Sequence, residues 1–364
     1  MTVNITKPAI NLRSELADLR KPTGIAGEAM MRAETPQEQF QLIGAGRRNI
    51  LINGGFDVWQ RGTSFADISS TYCADRWGHY FSSTSHITVT RQSFPTGHTE
   101  VEGNPKYYLR MDNTPDADAT WMEFYQRIED VNQFSGATVT VSFWIKASSA
   151  QSNNDRLYFI MNHGSGGSSQ LSAVSDFLDI STTWEKKVVT VTLPSLYGRA
   201  VGAGSYMELR MYQTALVAAD TQYDIAQVQL ELGKVATPFE HRSYGEELAL
   251  CQRYYERRGT NINGWEFISD AGQLASATTY QCAVRFNEQM RAAPTMTLTG
   301  TLSNLKVIRA SNLVTVTSMT ASDNTNGKTM LLSGGCAASG GSAGEQTRMQ
   351  TTVAGTFVNF DAEL

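Results

Sequence analysis

The sequence predicts a mostly β protein: an antiparallel jelly-roll β-sandwich plus a second, smaller C-terminal β domain, with a partly helical N-terminal anchor. Three observations lead there. Apolar and polar residues alternate along many short segments, as a strand with one buried face requires. The 364 residues include 30 glycines and only 18% charged side chains, and Gly, Ser and Asn cluster between the alternating segments, where tight turns are needed. Helical spacing is confined to the N-terminal segment and to one stretch after residue 242.

At this length two domains and an appendage are expected. Residues 1–48 form the appendage. Leu12, Leu16 and Leu19 give one apolar stripe on a short helix behind Pro8. A second short helix is signalled by Thr35 as N-cap, Pro36 after it, Glu38 closing a capping box and Gly44 as the stop. Neither helix has a core of its own, so the segment needs a partner to bury its stripe.

Residues 49–242 read as the first sandwich. Asn49 to Phe65, N-I-L-I-N-G-G-F-D-V-W-Q-R-G-T-S-F, opens it: a strand entry, then an Asn-Gly-Gly turn with positive φ, then apolar bulk from Phe56, Val58 and Trp59. In Ala137 to Ala147, Val139, Val141, Phe143 and Ile145 point one way and Thr138, Thr140, Ser142, Trp144 and Lys146 the other. Trp121 to Ile128, Arg156 to Met161 and Tyr206 to Tyr212 repeat that pattern, and Tyr223 to Leu232 closes the domain. The segments 151–155 and 162–170 read as polar loops. Ser243 to Arg258 changes to helical spacing, with Leu248, Cys251 and Tyr255 on one side and Gly259 as the stop, so 243–259 reads as a linking helix. From 260 to 364 shorter strands return, at Tyr280 to Phe286, Thr295 to Thr299, Leu305 to Ile308, Leu313 to Thr317, Lys328 to Leu332 and Thr356 to Leu364. These form a β tip.

Composition excludes several roles. The net charge is −5 and basic residues never run beyond a pair such as Arg47-Arg48, which argues against nucleic acid as a partner. No stretch approaches the roughly 18 apolar residues of a membrane span, and no basic-then-apolar signal segment opens the chain. Cytoplasmic synthesis is therefore expected. Cys73, Cys251, Cys282 and Cys336 lack any C-x-x-C or Cys/His ligand spacing, so reduced, buried thiols are expected rather than a zinc site. No H-E-x-x-H pattern and no pair of histidines four residues apart occurs.

The opening stretch, together with Y-C-A-D-R-W (72–77) and the run from Tyr223 to Gly259, resembles the tail-fibre-type structural proteins of tailed bacteriophages. The same opening and closing strands resemble jelly-roll carbohydrate-binding modules that begin N-G-x-F-D/E and end on a strand carrying an Asp. The resemblance implies a virion protein anchored to other virion proteins through residues 1–48, an oligomer, most simply a homotrimer, and adsorption to a host surface glycan without catalysis. The rival implied by the same anchor is a capsid decoration or head fibre. A polysaccharide-degrading spike is a further alternative, because Glu123 and Glu208 share an outward face. The module resemblance also implies a structural calcium held by Asp57 and Asp224.

The outward residues suggest where a glycan would bind. Trp121, Tyr125, Trp144, Tyr158 and Tyr206 project with Glu, Arg and Lys neighbours, and flat rings take the apolar face of a sugar while planar polar groups take its hydroxyls. The same composition also suits a subunit interface. One continuous face containing Trp121, Tyr125 and Trp144 is the expectation.

Overall fold

The computed structural model describes residues 47–82, 87–113, 121–213, 221–260, 262, 265–309, 312–323, 327–338 and 340–364. The two N-terminal helices expected from the sequence lie outside these residues. The first unit contains β1 (Ser64–Ala66), β2 (Thr71–Tyr72), β3 (Gly78–Phe81), β4 (Ile87–Ser93), β5 (Tyr107–Asn113), β6 (Met122–Glu129), β7 (Thr138–Ala147), β8 (Gln151–Asn162), β9 (Leu171–Val174), β10 (Leu178–Ile180), β11 (Glu185–Thr192), β12 (Tyr206–Gln213) and β13 (Gln222–Leu232). Sheet A runs β1-β4-β5-β13-β7-β11, and sheet B runs β10-β8-β12-β6-β3-β2 with β9 added to β8. All pairings are antiparallel, and the result is a jelly-roll sandwich.

Strict alternation makes the two inner faces. Leu109, Val141, Phe143 and Leu230 from sheet A meet Phe124, Leu157, Phe159 and Leu209 from sheet B in one buried core. Trp77 stacks on Phe124 with ring centroids 4.6 Å apart, and Phe56 packs against both. Burying a side chain of this size contributes roughly 1.5–3 kcal/mol relative to exposure, so these rings dominate the centre.

The opening stretch differs from its expectation. Only its last two residues, Ser64 and Phe65, join a ladder; residues 49–63 form a segment held between the sheets largely by side chains. Asn49 binds the backbone of β13, donating to the Val228 carbonyl at 3.1 Å and accepting from the Leu230 N–H at 3.1 Å. Gln126 of β6 then pairs with both backbone groups of Ile52 at 2.8 Å each, an amide standing in for a neighbouring strand. Positive φ falls on Asn53 and Phe56, not on the glycines. Gly54 is needed for a different reason: a Cβ there would collide with the carbonyl of Val228, which sits at a bulge between Ala226 and Gln229.

Two boundaries also move. β8 begins at Gln151, inside the expected loop, because β10 pairs with its first half at Asp155 and Gln151. The helix α1 (Tyr244–Gln252) has Ser243 as N-cap and Glu246 and Glu247 in its first turn, as read, but ends before Arg253. Tyr255 to Thr260 instead becomes β14, because the ladder with a later strand gives each backbone group a partner. Tyr255 and the basic residues after it therefore belong to a strand.

Beyond β14 (Tyr255–Thr260) come β15 (Glu266–Phe267), β16 (Ala271–Ser276), β17 (Thr279–Arg285), β18 (Thr295–Thr299), β19 (Leu305–Arg309), β20 (Asn312–Thr315), β21 (Thr320–Asp323), β22 (Thr329–Gly335), β23 (Gln346–Thr351) and β24 (Thr356–Asp361). They make a small sheet, β14-β24-β18, and a large one, β20-β19-β23-β16-β17-β22-β21 with β15 on β23. A second, separate core fills the space between, around Tyr280, Leu305, Val307, Leu332, Met349 and Phe360. All four cysteines are free and buried.

Candidate functional site

The outer face of sheet B divides into a covered half and an open half. In the covered half, Tyr125 has Gly78 opposite it on β3 and Arg127 over its ring at 5.1 Å, which leaves it only 9% exposed. Arg127 also lies 4.9 Å from the ring centre of Tyr206 and donates to the Leu364 carbonyl at 2.5 Å. Tyr72 donates to the same carbonyl. Residues 361–364 thus lie across this half. Tyr125 and Tyr206, both expected to face solvent, are engaged here inside the chain.

The open half carries an aromatic row across β3, β12 and β8, with Trp121 just before β6. Tyr80 of β3 stacks near Trp121 at 5.1 Å, Trp121 near Tyr212 of β12 at 5.8 Å, and Tyr212 meets Tyr158 of β8 edge-on at 5.3 Å. Arg156 extends the row by placing its guanidinium 4.0 Å from the ring centre of Phe177. Offset stacking at these distances covers only part of each ring. Tyr80 and Phe177 are about two-fifths exposed. Trp121 and Tyr158, two of the five residues singled out in the sequence, therefore do share a face. Tyr80, Tyr212 and Phe177 join them; Tyr80 was legible as the outward residue of G-H-Y-F, whereas Phe177 lies in a turn with no periodicity to read.

Trp144 belongs elsewhere. It sits on β7 of sheet A, and its outward direction is opposite to that of sheet B. Period two fixes the side of a strand on which a residue lies but not the sheet the strand joins, and the connection 130–137 crosses the sandwich. The single face containing Trp121, Tyr125 and Trp144 does not exist.

Beside the row runs a chain of charges. Arg210 binds Glu123 at 2.5 Å and Glu208 at 2.7 Å, and Glu208 accepts from Arg127 at 2.8 Å. Glu123 and Glu208 are only 5% and 1% exposed. Burial pushes the Glu123 carboxyl up to about 7, against the opposing pull of Arg210. Glu208 accepts guanidinium bonds on both oxygens and Glu123 on one, and both are shielded from solvent, which leaves little room for the water and leaving group of glycoside hydrolysis.

The calcium reading meets a similar obstacle. Asp224 accepts from Arg110 at 2.7 and 2.9 Å, one bond on each oxygen, and Lys146 lies 3.6 Å away. Asp57 carries no such partners, and burial raises its carboxyl above the usual range. Among the described residues no three His, Cys, Asp or Glu side chains converge as a metal site would need. The residues present do not fit a calcium bridging Asp57 and Asp224.

No protein-family model and no curated protein matches the chain. Among solved structures, the chain is similar to the enzymatically active domain of bacteriophage CBA120 tailspike protein 4, with 15% identity over 51% of this chain and 21% of that one and a TM-score of 0.32. It is also similar to TmCBM61 in complex with β-1,4-galactotriose, with 13% identity over 51% of this chain and all of that one and a TM-score of 0.30. A third is the family 11 carbohydrate-binding module of Clostridium thermocellum in complex with a β-1,3-1,4-mixed-linked tetrasaccharide, with 12% identity over 48% of this chain, 97% of that one and a TM-score of 0.28. The chain thus spans about a fifth of the tailspike domain's length.

Proposed function

We propose that this chain is a non-enzymatic structural protein of a tailed-phage particle whose first sandwich adsorbs to glycan on the host surface. The observation that carries the glycan reading is the row Tyr80, Trp121, Tyr212 and Tyr158 on the open half of sheet B. Partly uncovered rings offer stacking surface to a sugar chain lying across the strands, while tyrosine hydroxyls and the guanidinium of Arg156 offer hydrogen bonds to its hydroxyls. Tyr80, Tyr158 and Tyr212 lie on paired strands and Trp121 immediately precedes β6, so the backbone of the row is already ordered for binding. The phage reading rests on the sequence resemblance of the opening and closing stretches. In the same account residues 1–48 attach the protein to other virion proteins, and a homotrimer buries what the short helices cannot. Localisation to the particle follows from that attachment.

The absence of catalysis is part of the proposal, supported by the burial of Glu123 and Glu208 and their pairing with Arg210 and Arg127. Incubating the purified chain with the polysaccharide it retains and measuring new reducing ends tests this directly. No release is expected, and steady release lost in Glu123→Gln would replace the binding account with a hydrolytic one. Labelling residues 1–48 on intact particles tests the attachment: label at the tail supports a fibre, and label on the shell supports a head decoration.

A further inference from the structure

On the opposite face of the sandwich, sheet A carries a cavity of about 180 Å3. Trp144 and Ser142 of β7 and Lys186 of β11 lie at sheet level, Phe239 forms a wall, and Glu102, Gln227 and His241 add to the polar lining. Its architecture comes from the opening stretch. Gly54 accepts the Val228 N–H at 2.9 Å and holds the bulge in β13, and the bulge puts Gln227 at φ 50° in the left-handed region. Bulges re-aim side chains in this way, and such strain concentrates where a sheet presents something. Gln227 donates to the Glu102 carbonyl at 2.9 Å and so fixes the loop beside the cavity. At Gly103, also of left-handed φ, a side chain would press on His241 and Gln227.

We infer that this cavity is a second carbohydrate site, one that takes a single pyranose ring at a glycan end. Size is the first argument: the volume lies below the roughly 300 Å3 at which drug-sized pockets begin, which suits one ring and not a chain. Chemistry is the second. Trp144 and Phe239 bring aromatic surface, and Trp144 is held from behind by the small cluster of Val101, Trp184 and Ala226. Among the described residues the Ser142 hydroxyl, the Trp144 Nε1–H, the Lys186 ammonium and the Glu102 carboxylate make no intramolecular hydrogen bond, so each keeps its donors or acceptors for a ligand. A ring of vicinal hydroxyls with an apolar C–H face matches that set. Position is the third: this mouth and the aromatic row open on opposite faces, so an end-binding pocket and a chain-binding row can act on one surface coat without competing.

The inference does not rest on the sheet B reading, and its test separates the two. Saturation-transfer NMR on the full chain with the methyl pyranosides of glucose, galactose, mannose and glucuronic acid supplies neutral and acidic rings. At least one should show transfer at millimolar concentration, with affinity falling about tenfold or more in Trp144→Ala and in Phe239→Ala. Trp144→Phe, which keeps an aromatic ring, should retain most of it and guards against a misfolded alanine variant. The glucuronide alone should respond to Lys186→Ala. Tyr212→Ala should leave every signal in place. No transfer to any of the four rings overturns the inference, as does transfer that survives both alanine substitutions or that disappears in Tyr212→Ala.

Discussion

The guanidinium of Arg76 lies 3.4 Å from the ring centre of Tyr254 and is paired with the carboxylate of Glu363, all within buried structure. At the next tyrosine, Arg61 lies 3.6 Å from the ring centre of Tyr255 and 3.0 Å from Asp361. Consecutive tyrosines at the helix–strand corner therefore each hold an arginine of the first sandwich, and the last residues of the second unit close over both. The opening stretch and Y-C-A-D-R-W are thus the joint between the two units.

Arg76→Ala should cost about 3–5 kcal/mol, because it removes the nearer guanidinium from the buried Glu363 carboxylate and leaves only Arg61, at 3.4 Å. Thermal unfolding followed by calorimetry should change from one transition to two, with the second unit melting apart from the first. A single transition at unchanged temperature would show that the joint holds without this pair.

Gly54→Ala should destabilise by on the order of 1–3 kcal/mol, because the added methyl meets the Val228 carbonyl and must displace the bulge. Urea denaturation measures it. Gly55→Ala provides the comparison, since the neighbour a Cβ there would crowd is the end of the Asp57 side chain. Equal stability of Gly54→Ala and wild type would contradict the packing described.

Asp155 sets a pH dependence. Burial alone pushes its carboxyl up from 3.8 to about 7, and one of its oxygens is buried without a hydrogen-bond partner. The folded chain keeps this proton over a range where the unfolded chain has lost it. The contribution to stability therefore falls as pH rises from about 4 to about 7. Asp155→Asn should melt several degrees higher than wild type at pH 8 and at nearly the same temperature at pH 4. The opposite ordering at pH 8 would mean the carboxylate is charged and paired in solution.

Calcium should not change the melting temperature, since Asp224 is already bound on both oxygens by Arg110. A chelator titration followed by calcium addition checks this. A rise on adding calcium that vanishes in Asp224→Asn would restore the metal site.

Much of the fold was legible because burial writes period two into a strand: Val139, Val141, Phe143 and Ile145 of β7 are all buried as the alternation required. Periodicity was blind where the partner decides. Residues Gln151–Asp155 are polar yet form a strand because β10 is beside them. Tyr255 has helical spacing from Leu248 but pairs with β24. The candidate site suffered from the same blindness one level up. Trp121 and Tyr158 lie together on sheet B because β6 and β8 both flank β12, whereas Trp144 points away on sheet A. Tyr125 faces outward as alternation demanded, but the chain's own residues 361–364 lie over that half of the sheet, and nothing local to β6 announces them.

The central claim is that the open half of sheet B binds a glycan chain. Its most direct test is to screen the purified protein against an array of bacterial surface polysaccharides, then titrate the tightest binder calorimetrically against wild type, Tyr158→Ala and Tyr212→Ala. Each substitution should lower affinity by about 1–3 kcal/mol while oligomeric state by light scattering and melting temperature stay within error of wild type. Unchanged affinity together with dissociation of the oligomer would assign the row to a subunit interface and contradict the account.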